Sequence, residues 1–204
     1  MITKYKLFES KLNKNDIIKK LSIVFKTKIT LEEHVHVKDL YFVQLEQYID
    51  TEIQFNYNSA DSEFGEGFSI ADDNGNEKLA LTYDIDEIIL VLYKELLSDY
   101  IINERYNDSF TNLISLPTLN INVLLTKDKI SPLMLYIKQD PDEADFDIID
   151  EFIKNDIDWN TVDNKGHSFI DYITDQYVID EIIENYPEKY EEYLKNSKAK
   201  KFNI

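Results

Sequence analysis

The chain has 204 residues, with 22 basic and 40 acidic side chains, a net charge of −18 at neutral pH, no cysteine and 43% hydrophobic residues. That much apolar material supports a packed core and excludes wholesale disorder, while the lack of cysteine removes disulfides, thiolate metal sites and thiol catalysis together. The carboxylate excess repels nucleic acid phosphate and anionic lipid, leaving basic proteins and cations as the favoured partners.

No apolar run approaches the roughly 18 residues of a membrane span, and the start Met1-Ile2-Thr3-Lys4-Tyr5-Lys6 meets charge before any apolar stretch. The expectation is a cytoplasmic protein with neither span nor signal peptide. The charge is unevenly placed: residues 1–50 carry +2, residues 51–190 carry −22 and residues 191–204 carry +2.

In chain order, Ile17, Ile18, Leu21 and Val24/Phe25 stand at helical spacing and predict a first helix over 14–26, capped by Asn15 or Asp16. From Val35 the pattern becomes alternating, and Tyr41–Leu45 and Thr51–Tyr57 read as two strands joined near Tyr48-Ile49-Asp50. Gly65, Gly67 and Gly75 fall in a polar stretch, residues 58–78, where Asn74-Gly75 marks a hairpin between short strands at Phe68–Ile70 and Leu79–Tyr83. A long apolar helix over about 85–102 follows, with Asp84 or Asp86 as its cap. Together these elements predict an α+β fold, a small antiparallel sheet packed with helices and occupying residues 1–112.

After Leu116-Pro117 the alternation stops, and residues 113–190 read as short apolar helices between Asp/Asn-rich turns, followed by a basic tail at 191–204. Ser131-Pro132-Leu133-Met134 supplies a helix cap and a first-turn proline. Ser168 stands 37 residues further on, after Asp163 and Gly166. With Phe152-Ile153, Asp158-Trp159-Asn160 and the stretch Asp163 to Gly166, this pattern resembles the junction between ankyrin repeats. The resemblance implies an all-α, ankyrin-like region of about two repeats over residues 117–186, used for protein recognition. Its period exceeds the ~33 residues of that family, the excess falling in Asp140–Asp145, and Asp156-Ile157 replaces the usual Gly-Ala.

Sites of chemistry are sparse. His34-Val35-His36 would place two imidazoles on one face of a strand, but no third ligand is fixed, so no metal and no cofactor is expected. Asp72-Asp73-Asn74-Gly75-Asn76-Glu77 lacks the register of a calcium loop and reads as a hairpin turn. No nucleophile elbow, phosphate loop, dinucleotide fingerprint or metalloprotease helix occurs, which disfavours catalysis. Tyr48, Tyr57, Tyr83, Tyr186, Tyr190 and Tyr193 lie beside carboxylates, a combination that grips basic proteins when it is on the surface. The acidic loop residues Asp61, Glu63, Glu66, Asp72, Asp73, Asp142, Glu143 and Asp145 are the candidate partner-binding set. In overall character the chain resembles bacterial immunity proteins, which implies a non-enzymatic inhibitor that neutralises a basic toxin domain and binds neither nucleic acid nor membrane. The alternatives are a nucleic-acid mimic that inhibits a DNA-binding enzyme and a generic ankyrin-type adaptor or effector.

Overall fold

The computed structural model describes residues 13–48, 51, 53–59, 65–72 and 74–202, with backbone alone for 198–202. The fold is α+β, and the chain divides into two compact units, Met1–Leu92 and Tyr93–Ile204. The division falls inside the long helix that the sequence assigns whole to a first domain ending at residue 112.

In the first unit, α1 (Lys14–Val24) opens with Asn13, whose side chain accepts the Asp16 amide at 3.1 Å; the cap is thus one turn position earlier than Asn15 or Asp16. A five-stranded antiparallel meander follows in the order β1 (Ile29–Glu33), β2 (Leu40–Leu45), β3 (Gln54–Asn58), β4 (Gly67–Ala71) and β5 (Glu77–Thr82). Sequential hairpins need no crossover, which is why a small unit with few connecting residues adopts this order. Pairing of Leu31 with Val43, Tyr41 with Tyr57, Phe55 with Ile70 and Ile70 with Leu79 stacks the apolar side chains on one face. Val43, Leu45, Phe55, Tyr57, Phe68, Ile70 and Leu79 are buried there. On the other face Gln44 bonds Glu32 across the β1–β2 pair.

β1 is the strand that the sequence reading passes over. It is an edge with one neighbour, its burial is only partial, and its apolar residues Ile29 and Leu31 are too few to stand out. The histidines also differ from expectation. His34 and His36 lie in the loop after β1, where the His34 ring nitrogen Nδ1 accepts the His36 and Val37 amides at 3.1 and 3.0 Å. His34 is thereby used as a turn acceptor, so the two rings do not share a strand face. No cluster of three or more His, Asp or Glu able to hold a metal occurs among the described residues.

At the β4–β5 hairpin, Asp72 Oδ1 accepts the Asn74 and Asn76 amides at 3.0 and 2.8 Å, and Lys78 pairs with the carboxylate at 3.4 Å. The hydrogen bonds from Asn76, and then those from Lys78 with its charge, hold Asp72 below the usual carboxylate range. This is the hairpin turn expected from Asn74-Gly75.

The helix α2 (Ile85–Ile102) is capped by Asp84, which accepts the Asp86 and Glu87 amides at 3.0 and 3.2 Å. The second unit continues with α3 (Asp108–Ile114), α4 (Pro132–Gln139), α5 (Phe146–Lys154), a single 3₁₀ turn at Ile170–Tyr172, α6 (Gln176–Asn185) and α7 (Pro187–Phe202). Asn107, Ser131, Asp145 and Asp175 cap α3 to α6 in turn, each through a side-chain oxygen. The stretch read from sequence as a basic tail is the second half of α7. Among the described residues no helix is long and apolar enough to cross a membrane.

The turns before α4 and before the 3₁₀ segment repeat one another. Lys129 N–H donates to Thr126 O and Gly166 N–H to Asp163 O. Ile130 N–H donates to Thr126 Oγ1 and His167 N–H to Asp163 Oδ1, all shifted by 37 positions. Lys129 and Gly166 both take a left-handed backbone, with φ of 62° and 83°. The two loops are laced together: Asp158 N–H donates to Asn122 Oδ1 at 2.6 Å, Asn122 Nδ2 to Asp156 O at 3.1 Å and Asn164 N–H to Asp128 O at 3.0 Å. Asp156 adopts a φ of 59°, the left-handed conformation that a glycine takes most easily. The second copy departs from the first in its inner helix. Ser168 does not cap a helix amide; its hydroxyl joins Asp171 Oδ2 and Tyr193, and Asp171 Oδ2 accepts the Ser168 amide at 2.8 Å.

Two stability outcomes follow from these turns. Gly67 has a φ of 151° and a Cβ there would sit 3.1 Å from the Thr82 backbone nitrogen, whereas Gly75 has a φ of 77° and nothing within 4 Å. Gly67→Ala is expected to lower stability by about 1–3 kcal/mol and Gly75→Ala by only ~1 kcal/mol, read by urea unfolding. Burial raises the Asp163 carboxyl, but the Tyr172 hydroxyl and the His167 and Lys165 amides outweigh it and bring the group down to about 2. A folded value below the unfolded 3.8 means its stabilisation is present above that pH and is lost as pH falls toward about 2. Asp163→Asn should therefore cost roughly 1–2 kcal/mol at neutral pH, with the gap to the parent closing on acidification below pH 3.8.

Candidate functional site

The residues expected to meet a partner fall into three groups. Asp61, Glu63 and Asp73 lie outside the described residues. Glu66 and Asp72 belong to the first unit, where Glu66 accepts the Tyr57 hydroxyl at 3.3 Å and Asp72 holds the hairpin already described. Asp142, Glu143 and Asp145 lie together in the exposed α4–α5 connection of the second unit, where Asp142 accepts the Thr174 hydroxyl at 2.7 Å and Asp145 caps α5.

Around Glu143 the second unit forms an acidic groove of about 140 Å³, lined by Glu104, Tyr106, Tyr136, Gln139, Asp140, Glu143 and Ala144. No cationic side chain is among these lining residues. The ring of Tyr106 stands edge-on to that of Tyr136 at 5.1 Å. Their hydroxyls are already engaged, Tyr106 donating to Ile101 O at 3.1 Å and Tyr136 accepting the Asp145 amide at 2.7 Å. Burial, with the Tyr136 and Glu104 charges behind it, pushes the Tyr106 hydroxyl well above the ordinary tyrosine range. Chemically the groove offers ring surface and three carboxylates, a combination that suits an ammonium or guanidinium group.

A second acidic surface spans α5 and α6, which pack against each other. Tyr177 at the start of α6 is 64% exposed. A hydrogen bond and charge from Glu181, followed by burial and by Asp147 and Asp175, raise its hydroxyl above its ordinary value. Beside it, Asp150 takes the Tyr186 hydroxyl and the Lys154 ammonium. Burial raises the Tyr186 hydroxyl first, and the bond to Asp150 adds to this, bringing it up to about 12.

The tyrosines singled out in the sequence behave differently from the surface reading. Tyr48, Tyr57 and Tyr193 are buried: Tyr48 stands edge-on to Phe25, Tyr57 packs on Phe68, and Tyr193 bonds Ser168. They carry core area, and their nearness to carboxylates in sequence reflects neighbouring loop residues. Tyr177 and Tyr106 are the ones the acidic surface presents, and sequence reasoning passed over both. For Tyr177 the signal was available, since it follows the cap Asp175 and precedes Glu181 at i+4 on one helix face. For Tyr106 no local signal exists, because Glu104 and Glu143 meet only in the fold.

Comparison with known proteins adds no relative: no family model, no curated protein and no solved structure matches this chain.

The two kinds of tyrosine separate by substitution. Tyr177→Ala is expected to change unfolding free energy by less than ~0.5 kcal/mol, because the ring is solvated. Tyr186→Phe should lower it by about 1 kcal/mol through loss of the bond to Asp150. Denaturant titration of both variants provides the measurement.

Proposed function

We propose that the chain is a non-enzymatic binding protein, an immunity protein that neutralises a basic toxin domain through the acidic surface of its helical unit. The observation that carries this reading is the groove of Glu104, Asp140 and Glu143 around Tyr106 and Tyr136, with no cation among its lining residues. A lysine or arginine entering it gains charge-assisted hydrogen bonds and ring contact together, which is the anatomy of an interface anchor. The exposed Tyr177, set among Asp147, Asp175 and Glu181, supports the same partner chemistry on a neighbouring face.

The paired turns before α4 and before the 3₁₀ segment support an ankyrin-like scaffold as the frame, one whose second inner helix is reduced to a single turn. Such scaffolds present loops and helix ends for recognition while their stacked elements hold shape. A net charge of −18 contributes at long range, since a strongly acidic surface accelerates encounter with a basic partner. The cytoplasm, where such a toxin domain acts, is the proposed location.

The test is capture of partners from a lysate of the source organism on the immobilised chain, with identification by mass spectrometry, followed by stopped-flow association. A basic toxin domain is expected, with an association rate that falls steeply as salt rises. Asp140→Lys combined with Glu143→Lys should slow association roughly tenfold or more at low ionic strength. A rate that stays flat from low to high salt sinks the electrostatic part of the proposal.

A further inference from the structure

The second unit carries a cleft that the acidic surface does not explain. It has a volume of about 580 Å³, inside the range of ligand-binding clefts, and it opens between the loop Trp159–Ser168 and α7. Its walls include Trp159, Lys165, His167, Asp171, Tyr193 and Ser197. Lys165 and Asp171 are the formal charges among these residues and they balance, so a chain of charge −18 holds a cleft of neutral lining.

The groups in these walls divide into those already engaged and those left free. Asp171 Oδ2 accepts the Ser168 amide at 2.8 Å, the Ser168 hydroxyl at 2.9 Å and the Tyr193 hydroxyl at 3.3 Å, while its other oxygen takes no hydrogen bond. Lys165 forms no ion pair among the described residues. Trp159 is 6% exposed, packed edge-on against Phe169 at 5.2 Å and near Tyr186 at 6.4 Å, yet its indole N–H has no acceptor. A buried donor without a partner costs about 1–3 kcal/mol, which a folded chain normally avoids. Here it persists on the wall of an open cleft, next to a free carboxylate oxygen and a free ammonium.

We infer that this cleft binds an extended peptide segment of a partner protein through main-chain groups. A carbonyl of that segment accepts from Trp159 Nε1, a second accepts from Lys165, and an amide N–H donates to the free oxygen of Asp171. A neutral peptide backbone is the ligand that offers acceptors and donors at once. A bare anion would meet the Asp171 charge and the acidity of the whole chain, and a bare cation would meet Lys165. The flat rings of Trp159 and Tyr193 add apolar contact without demanding one side chain. Because the indole N–H is closed to water, its acceptor reaches it only as rim side chains move aside on binding. The inference stands apart from the acidic groove, since it uses different residues and a neutral ligand.

Trp159 is the single tryptophan of the chain, so one indole cross-peak in a ¹H–¹⁵N spectrum reports on this wall alone. The experiment selects a phage-displayed random peptide library on the full chain at about 1 M salt, where the screening length of ~3 Å suppresses capture of basic peptides by the acidic surface. Enriched peptides are expected to shift the indole cross-peak and to bind roughly tenfold more weakly to Trp159→Phe. Binding to that variant is read from the Gly166 and His167 amides. Lys165→Met, at an exposed position without a protein partner, should weaken the same peptides while leaving the far-ultraviolet spectrum unchanged. Absence of enrichment over the bare support, or enriched peptides that leave the indole peak in place and bind both variants as well as the parent, overturns the inference. Either result leaves the salt-dependent association proposed for the acidic groove untouched.

Discussion

The hydrogen bond from a turn amide to a short carboxylate or carboxamide side chain is the interaction on which this structure rests. With four glycines in 204 residues, the chain cannot close its turns with glycine alone. Lys26, Asp39, Glu104, Lys129 and Asp156 take left-handed backbone in glycine's place, a conformation that costs L-residues about 1 kcal/mol each. What holds many of the turns is an acceptor one to four residues away. Asp72, Asp84, Asp140, Asp145, Asp158, Asp163 and Asp175 all bind a following backbone amide, and Asn13, Asn107 and Asn120 do the same.

This gives the net charge a second meaning. Many aspartates of the −22 stretch are structural acceptors at helix starts and loop turns, where the helix dipole and the amides favour the ionised form. They produce the acidity as a by-product of building a helical unit with few glycines. The carboxylates that remain for a partner are mainly those without such a duty, Glu104 and Glu143 in the groove and Glu181 beside Tyr177. The distinction between Asp as architecture and Glu as surface follows from side-chain length, since the shorter acid reaches its own turn and the longer one reaches past it.

How much of this was legible in the sequence follows from the range of each interaction. Helices with a broad apolar stripe, such as α2, and the hairpin at Asn74-Gly75 are specified by residues within a few positions, and the reading placed them. The antiparallel sheet was legible as a class, but its edge strand β1 was not, because an edge is defined by having one neighbour and carries little apolar pattern. His34 and His36 were misplaced for a related reason. Alternate spacing marks a strand face only if the segment is extended, and here the His34 ring closes a turn instead. The groove and the cleft were illegible: Glu104 and Glu143 stand 39 positions apart, and Trp159 meets Tyr193 only once α7 folds back.

The 37-residue offset between Ser131 and Ser168 was readable, but its consequence was not. At the first position serine caps an eight-residue helix through its hydroxyl. At the second the hydroxyl turns to Asp171 and Tyr193, and the inner helix shrinks to one 3₁₀ turn. Proline at position 132 preorganises the first helix, whereas Phe169 at the matching position offers no such constraint and is buried against Trp159. Tyr193 of α7 then occupies a place beside Ser168 that a longer inner helix would contest. The cleft bounded by Trp159, Asp171 and Tyr193 is therefore the space left by an incomplete repeat. That origin accounts for its neutral lining within an acidic chain, because its walls are core residues of the repeat brought to the surface and not the capping aspartates of a turn.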